Sequence, residues 1–116
     1  MREWFPIPPL CCDGPGLNGM HKEAHQIEQS ILDPERGWQH HPEVNRWRGH
    51  LPALAAYHDE IVAEARRRGW PSGLDHRTPM VHEGEVVWPE PIEPVEVMRE
   101  KLAAKIAERL ARRKAA

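Results

Sequence analysis

The chain has 116 residues, which suits one domain with a substantial core and is too short for two cores plus an elaborate active-site lid. Its hydrophobic fraction of 40% and charged fraction of 29% are ordinary for a globular protein, and its net charge of -2 gives no electrostatic argument for a polyanionic partner. No apolar run approaches a membrane span, the N-terminus lacks a signal-peptide pattern, and Cys11 and Cys12 are adjacent and cannot staple distant segments. These features predict a single cytoplasmic domain over residues 1–116, with no membrane partner.

The first third of the chain predicts an extended segment followed by an amphipathic helix. Three prolines within the first nine residues fix φ and remove hydrogen-bond donors, which favours extended backbone. From Leu17 to Ile31, apolar residues recur at three- and four-residue steps, as they do on the buried stripe of a helix. His21, His25 and Glu28 lie beside this stripe at four- and three-residue spacings, so they share one face of the helix.

Two further helices are predicted in the middle of the chain. Residues 37–50, GWQHHPEVNRWRGH, contain two Trp, three His and two Arg, and Pro42 is well placed for a first helical turn. From Pro52 onward, apolar residues recur at helical spacing as far as Ala65. The cations at 66–68 then oppose the helix dipole before Gly69, which predicts the end of a long helix there.

The last third predicts an acidic loop and a basic helix. Seven prolines and glycines interrupt residues 71–94, which predicts a loop with a short extended piece at EVVW, residues 85–88. Five acids and no Lys or Arg occur from residue 79 to 98, whereas seven bases oppose two acids from residue 99 to 116. A basic amphipathic helix is predicted over 95–114. We therefore expect an all-α fold, a compact bundle of three to four helices with an extended N-terminal segment and a Pro-rich loop before the last helix.

Three blocks of the sequence, in this order and spacing, indicate a family. They are LNGMHKEAHQIE, the segment GWQHHPEVNRWRGH, and the helix end DEIVAEARRRGW. Together they resemble the small endonuclease V type pyrimidine-dimer DNA glycosylases and their bacterial and phage relatives. The first block looks like the catalytic helix of that family, with Leu17, His21 and Glu28 at its leading Leu, its His and its essential Glu. The resemblance covers about residues 1–70 and includes nothing of the last third.

The resemblance implies a DNA N-glycosylase that excises a damaged or modified pyrimidine through an imine formed by the N-terminal amine, with an AP-lyase step as a further option. Because Arg2 is too bulky for the usual removal of methionine, the nucleophile is expected to be the amine of Met1. An α-amine has a pKa of about 7.7 to 8.0, so a useful fraction is neutral near neutral pH. Glu28 would stabilise the oxocarbenium-like transition state, and His21 would orient the site or contact a phosphate.

DNA is the expected partner. Aromatic side chains suit stacking on bases or filling the gap left by a flipped base, and cations suit phosphates. The candidate DNA-binding residues are His25, Trp38, His40, His41, Arg46, Trp47, Arg48 and His50. Two alternatives stay open, because the tryptophans are equally suited to anchoring the core and the paired histidines to capping the following helix.

The sequence also departs from the dimer-specific members of the family. Those members carry Arg one residue before the essential Glu and three residues after it, where this chain has Ile27 and Ile31. Specificity for pyrimidine dimers is therefore not expected. His21, His25 and Glu28 form an alternative zinc site, but spacing fixes no fourth ligand, so we predict no metal site and no cofactor.

Two other functions compete with the glycosylase hypothesis. The first is a non-catalytic DNA-binding module on the same scaffold, and the second is a protein-interaction module that uses the last helix, for example in a homodimer. We expect a monomer. The basic face of the last helix either runs along DNA or pairs with the acidic loop before it, and the second interpretation is favoured. Its cations are Lys101, Lys105, Arg109, Arg112 and Arg113.

Overall fold

The computed structural model describes residues 2–69 and 79–115. A short 3-10 turn, Pro9–Cys11, precedes four helices. These are α1 (Gly14–Leu32), α2 (Pro42–Trp47), α3 (Leu51–Arg67) and α4 (Val95–Ala115). No β-strand occurs in residues 2–69 and 79–115, so the predicted all-α fold is confirmed and the EVVW piece forms no strand. Residues 70–78 of the predicted loop lie outside the described residues.

The N-terminal segment, residues 2–8, is part of the core. Trp4 and Ile7 are 4% and 1% exposed, and the hydroxyl of Tyr57 on α3 donates a hydrogen bond of 2.8 Å to the carbonyl oxygen of Ile7. Phe5 stacks on Trp88 and makes edge contacts with aromatic rings of α2 and α3. The start of the chain is therefore held by the helices on which it packs.

Helix α1 begins three residues earlier than the apolar stripe. Asp13 is its N-cap, and the side-chain oxygen of Asp13 accepts a hydrogen bond of 3.1 Å from the backbone N–H of Gly16. The capping bond satisfies one of the free N–H groups of the first turn, so the helix includes the Gly-Pro-Gly residues before the stripe. The predicted stripe is buried: it consists of Leu17, Met20, Ala24 and Ile27, and Ile31 packs against it from its edge.

Helices α2 and α3 complete the core. His41 caps α2, with its Nδ1 accepting a hydrogen bond of 3.1 Å from the backbone N–H of Glu43, and Trp47 at the end of α2 is fully buried. Helix α3 packs against α1 and α2 and ends where Glu64 accepts hydrogen bonds from Arg67 and Arg68. The predicted end of this helix before Gly69 is confirmed.

Helix α4 is attached by a few contacts. Met98 and Leu102 are its buried residues, and its cations contact acids elsewhere in the chain. Lys101 contacts Glu93 of the acidic loop at 2.7 Å, and Arg109 contacts Asp13 at 2.5 Å. The predicted pairing with the acidic loop is thus found at Lys101.

In residues 2–69 and 79–115, no helix combines the length and apolarity that a membrane crossing requires.

The cap of α1 provides a test of this architecture. We expect Asp13→Ala to lower the free energy of unfolding by about 1–2 kcal/mol, because it removes both the capping oxygen and the contact with Arg109. Asp13→Asn keeps a capping oxygen and is expected to lose less than about 1 kcal/mol. Urea denaturation of the three proteins measures the difference. Equal losses in the two variants would contradict the role of the cap.

Candidate active site

The carboxylate of Glu23 on α1 contacts the N-terminal backbone. Its Oε2 accepts a hydrogen bond of 2.6 Å from the backbone N–H of Arg2, 21 residues earlier in the chain. The guanidinium of Arg2 lies over the ring of Trp4, 4.5 Å from its centroid, and contacts the carboxylate of Glu93. The backbone at Arg2 is thereby positioned directly beside an acidic side chain of the first helix.

A small cleft of about 100 Å³ opens at this contact. Its lining includes Arg2, Trp4, Gly16, Gly19, Glu23, Lys105 and Arg109. A Cβ added at Gly19 would meet no atom within 4 Å, so this glycine leaves the face of α1 open. The cleft therefore combines one carboxylate with cations from the N-terminal segment and from α4, an arrangement suited to a phosphate next to a reacting sugar.

Glu28 lies in a different environment. Its Oε2 is 2.5 Å from Nε2 of His82, and its Oε1 is 3.9 Å from Nδ1 of His25. Glu28 is five residues beyond Glu23, which places it about 7.5 Å further along α1 and on another face. Among the described residues, Glu28 is thus grouped with histidines rather than with the backbone of Arg2.

Three histidines meet between α1 and α3. Nε2 of His58 is 3.1 Å from Nε2 of His21 and 3.1 Å from Nε2 of His25. Nδ1 of His58 is 3.0 Å from a carboxylate oxygen of Asp59. His21 and His25, the two histidines predicted on this face of α1, both belong to the cluster. The sequence pattern did not indicate His58.

Two buried carboxyl groups lie under the N-terminal segment. The Glu43 carboxylate accepts hydrogen bonds from the backbone N–H of Glu3 and from Nε1 of Trp47. The oxygens of the Glu3 carboxyl group have no hydrogen-bond partner among the described residues. Burial, reinforced by the carboxylates of Glu43 and Glu23, raises the pKa of Glu3 well above its ordinary value. Burial also raises the pKa of Glu43, against the opposing effect of Arg46.

The candidate DNA-binding residues separate into buried and exposed groups. Trp47 is 0% exposed, so the core interpretation holds and its side chain is not available to bases. The Arg46 side chain is 4% exposed and bonds to Glu43 and to the carbonyl oxygens of Glu3 and Phe5, so it is not available to phosphates. Both side chains are buried for the same reason, because tertiary packing covers the inner face of the short helix α2.

Trp38, unlike Trp47, is exposed to solvent. It is 58% exposed, and its backbone φ is 72°, in the left-handed region that a bulky residue rarely occupies. Its ring meets the ring of His41 edge-on at 5.4 Å between centroids. Strained backbones cluster at binding sites, so Trp38 stays a candidate for contact with DNA.

The other predicted DNA contacts lie on the surface. His41 is the cap of α2, as the alternative interpretation had it. His40 is exposed. Arg48 donates a hydrogen bond of 3.0 Å to the carbonyl oxygen of Gln39, and Nδ1 of His50 is 2.7 Å from the carbonyl oxygen of Val87. Met1 lies outside the described residues.

Sequence reasoning missed three parts of this region. It did not select Glu23, because the motif read from Leu17 through His21 leads to Glu28. It also did not place Lys105 and Arg109 at the cleft, although both were recognised on the basic face of the last helix. The signal that could have indicated Glu23 is the cation Lys22 immediately before it in the sequence.

An all-α domain with a carboxylate at its N-terminal backbone, amid basic side chains, has the features expected of a small DNA base-excision enzyme. The model of the pyrimidine dimer DNA glycosylase family matches residues 1–78. The chain therefore belongs to this family of DNA glycosylases, as the three sequence blocks predicted, and DNA is its partner. No curated protein and no solved structure matches the chain.

The buried Glu3 predicts a pH dependence of stability. An acid whose pKa is raised on folding contributes stability that is complete below its unfolded value, about 4.5, and that is lost as the pH rises toward its folded value. Glu3→Gln cannot ionise at this position, so we expect its stability to fall less than that of the wild type as the pH rises. Near neutral pH, its free energy of unfolding is expected to exceed that of the wild type by at least about 1 kcal/mol. Denaturant unfolding over a pH series measures the difference.

The exposed Glu35→Gln is the matched control and is expected to follow the wild type at every pH. A Glu3→Gln protein that loses stability with rising pH as steeply as the wild type would contradict the burial of a neutral Glu3.

Proposed function

We propose that the protein is a DNA N-glycosylase in which the α-amine of Met1 is the nucleophile and Glu23 is the catalytic carboxylate. The hydrogen bond of 2.6 Å between the Arg2 backbone N–H and Glu23 is the observation that carries the proposal. Only three covalent bonds join the Met1 amine to the Arg2 nitrogen, so the two atoms are at most about 4 Å apart. In a protein that starts at Met1, the amine is therefore tethered close to Glu23.

The burial pattern of α1 supports Glu23 over Glu28. If Glu28 were the essential Glu, the residues at the two arginine positions of the dimer-specific enzymes would be Ile27 and Ile31, and Ile27 is fully buried in the core. If Glu23 is the essential Glu, the same positions fall on Lys22 and Gln26, neither of which is buried. Lys22 then supplies a cation immediately before the carboxylate, where those enzymes carry an arginine.

The cleft suits an imine mechanism. The neutral amine attacks the anomeric carbon of the deoxyribose, the new C–N bond forms as the bond to the base breaks, and the base leaves with the glycosidic electron pair. Glu23 stabilises the positive charge that develops on the sugar and accepts a proton from the attacking amine. Ring opening then gives the imine, which either hydrolyses or eliminates the 3′ phosphate to cleave the strand.

The surroundings of the cleft provide contacts for DNA. Lys105 and Arg109 line the cleft from α4, where they can bind phosphates that flank the flipped nucleotide. Trp38 presents an exposed ring that can stack on a base or fill the gap in the duplex. His21, predicted to orient the site, is buried and has its ring against His58 rather than in the lining of the cleft.

The first test is borohydride trapping of the untagged protein on DNA with an abasic site. We expect an adduct at the Met1 amine that is lost when the amine is blocked. Glu23→Gln is expected to slow its formation by about 100-fold or more, because it removes the general acid–base group. Glu28→Gln is the matched control and is expected to trap at nearly the wild-type rate.

The other results each have a defined meaning. A slow Glu28→Gln and a normal Glu23→Gln would assign the carboxylate role to Glu28. An adduct on a lysine would exclude Met1 as the nucleophile. DNA binding with no adduct at all would favour the non-catalytic DNA-binding module.

Gly19 provides a second test, because it opens the cleft without contributing chemistry. Gly19→Ala adds a helix-favouring side chain in open space and is expected to raise the free energy of unfolding by about 0.5–1 kcal/mol with activity retained. Gly19→Phe is expected to keep the fold but to lower trapping by about 10-fold or more, because its ring enters the cleft. Thermal unfolding and trapping kinetics measure the two effects. Full activity of a folded Gly19→Phe protein would place the substrate elsewhere.

A further inference from the structure

The histidine cluster of α1 and α3 is outside the cleft and has no role in the proposed glycosylase chemistry. Potential ligand atoms of His21, His25 and His58 all lie within 4.8 Å of one another. His21 and His58 are buried, and the side chain of His25 is 19% exposed. Three imidazoles that converge in a largely buried place call for a physical explanation.

Two of the nitrogen–nitrogen distances in the cluster are close to those of a metal site. Two of the three Nε2 pairs are separated by 3.1 Å. Two imidazole nitrogens on a tetrahedral zinc ion, each at 2.0–2.1 Å from the metal, are roughly 3.3 Å apart. The cluster therefore needs shifts of only a few tenths of an ångström in these two pairs to enclose a zinc ion.

Hydrogen bonding alone satisfies this cluster poorly. A carboxylate only accepts hydrogen bonds, so the Nδ1 of His58 must donate to Asp59, and a neutral His58 then has a single lone pair at Nε2. Both His21 and His25 approach that same nitrogen at 3.1 Å. Two N–H groups directed at one lone pair are crowded, whereas one cation accepts the lone pairs of all three rings.

Carboxylates stand behind two of the rings. Asp59 lies at 3.0 Å from Nδ1 of His58, and Glu28 lies at 3.9 Å from Nδ1 of His25. A carboxylate at the outer nitrogen of a histidine fixes the tautomer and makes the inner nitrogen a stronger ligand, as in carboxylate–histidine–zinc sites. Glu28, itself paired with His82, thus has a place in the surroundings of the cluster rather than among its ligands.

We infer that His21, His25 and His58 bind a divalent zinc ion through their Nε2 atoms. The described residues supply three imidazoles, and a solvent molecule is suited to the fourth tetrahedral position. The bound ion joins α1 to α3, and it binds the neutral imidazoles. This inference goes beyond the proposed glycosylase function and does not depend on it. It also departs from the sequence prediction of no metal site, and from the alternative ligand set in which Glu28 took the place of His58.

The test uses the untagged full chain, stripped of metal with a chelator, and zinc or cobalt chloride as the probe. We expect about one metal ion per chain, competition between the two metals, and the visible absorption bands of tetrahedral cobalt(II). Bound zinc is expected to raise the unfolding temperature in proportion to the logarithm of its concentration. Absence of saturable one-to-one binding, or a cobalt spectrum without tetrahedral bands, would overturn the inference.

Variants assign the ligands. His58→Gln and His25→Gln are each expected to weaken zinc binding by about 100-fold or more, beyond the 10–100-fold typical of outer-shell changes, and to abolish the cobalt bands. Asp59→Asn is expected to weaken it by about 10-fold. The exposed His40→Gln is the matched control and is expected to bind as the wild type does.

The use of two ligand variants keeps the test valid if one of them fails to fold, because the His25 side chain is less buried than that of His58. Circular dichroism checks the fold of each protein. Wild-type affinity in a folded His25→Gln or His58→Gln protein would overturn the assignment. Loss of zinc binding with unchanged trapping on abasic DNA would support a structural ion and leave the glycosylase proposal untouched.

Discussion

The buried guanidinium of Arg46 holds the N-terminal segment against α2, and the geometry of the cleft depends on it. Arg46 donates to the carbonyl oxygens of Glu3 and Phe5 while it pairs with Glu43. Chain termini are ordinarily poorly ordered unless they are tied down. Because these bonds fix the backbone immediately after Arg2, the hydrogen bond from Arg2 to Glu23 is formed in a defined place. The planar donor fork of arginine can serve several acceptors at once, which a lysine ammonium does with less directional control.

Helix α1 contributes residues to two neighbouring regions, the cleft and the histidine cluster, from two different faces. One face presents Gly16, Gly19 and Glu23 to the cleft, and the other presents His21 and His25 to α3. The helix can do both because residues three and four positions apart share a face, whereas residues two apart do not. The first face, with its carboxylate in the cleft, is consistent with membership of the pyrimidine dimer DNA glycosylase family. The histidines of the second face and the cleft residues of the first face belong to the same helix, α1.

The fold was predictable from sequence to a large extent, and the site was less so. Apolar periodicity indicated α1, α3 and α4, because α1 and α3 each bury a continuous stripe and α4 buries Met98 and Leu102 at the same helical spacing. The choice between Glu23 and Glu28 depends on how the N-terminal segment docks, which no local pattern encodes. The same limit applies to the tryptophans of one block, since only packing decides that Trp47 is buried. His58 joins the histidines of α1 from 37 residues away, so no short motif could reveal it.

The last helix contributes to the cleft although it lies beyond the part of the chain that matches the family. The match ends at residue 78, whereas Lys105 and Arg109, two of the cations that line the cleft, belong to α4, Val95–Ala115. Helix α4 buries few residues, so most of its surface can vary without loss of the core. A different last helix would therefore change the cations at the cleft, while the core formed by α1, α2 and α3 would keep most of its buried side chains.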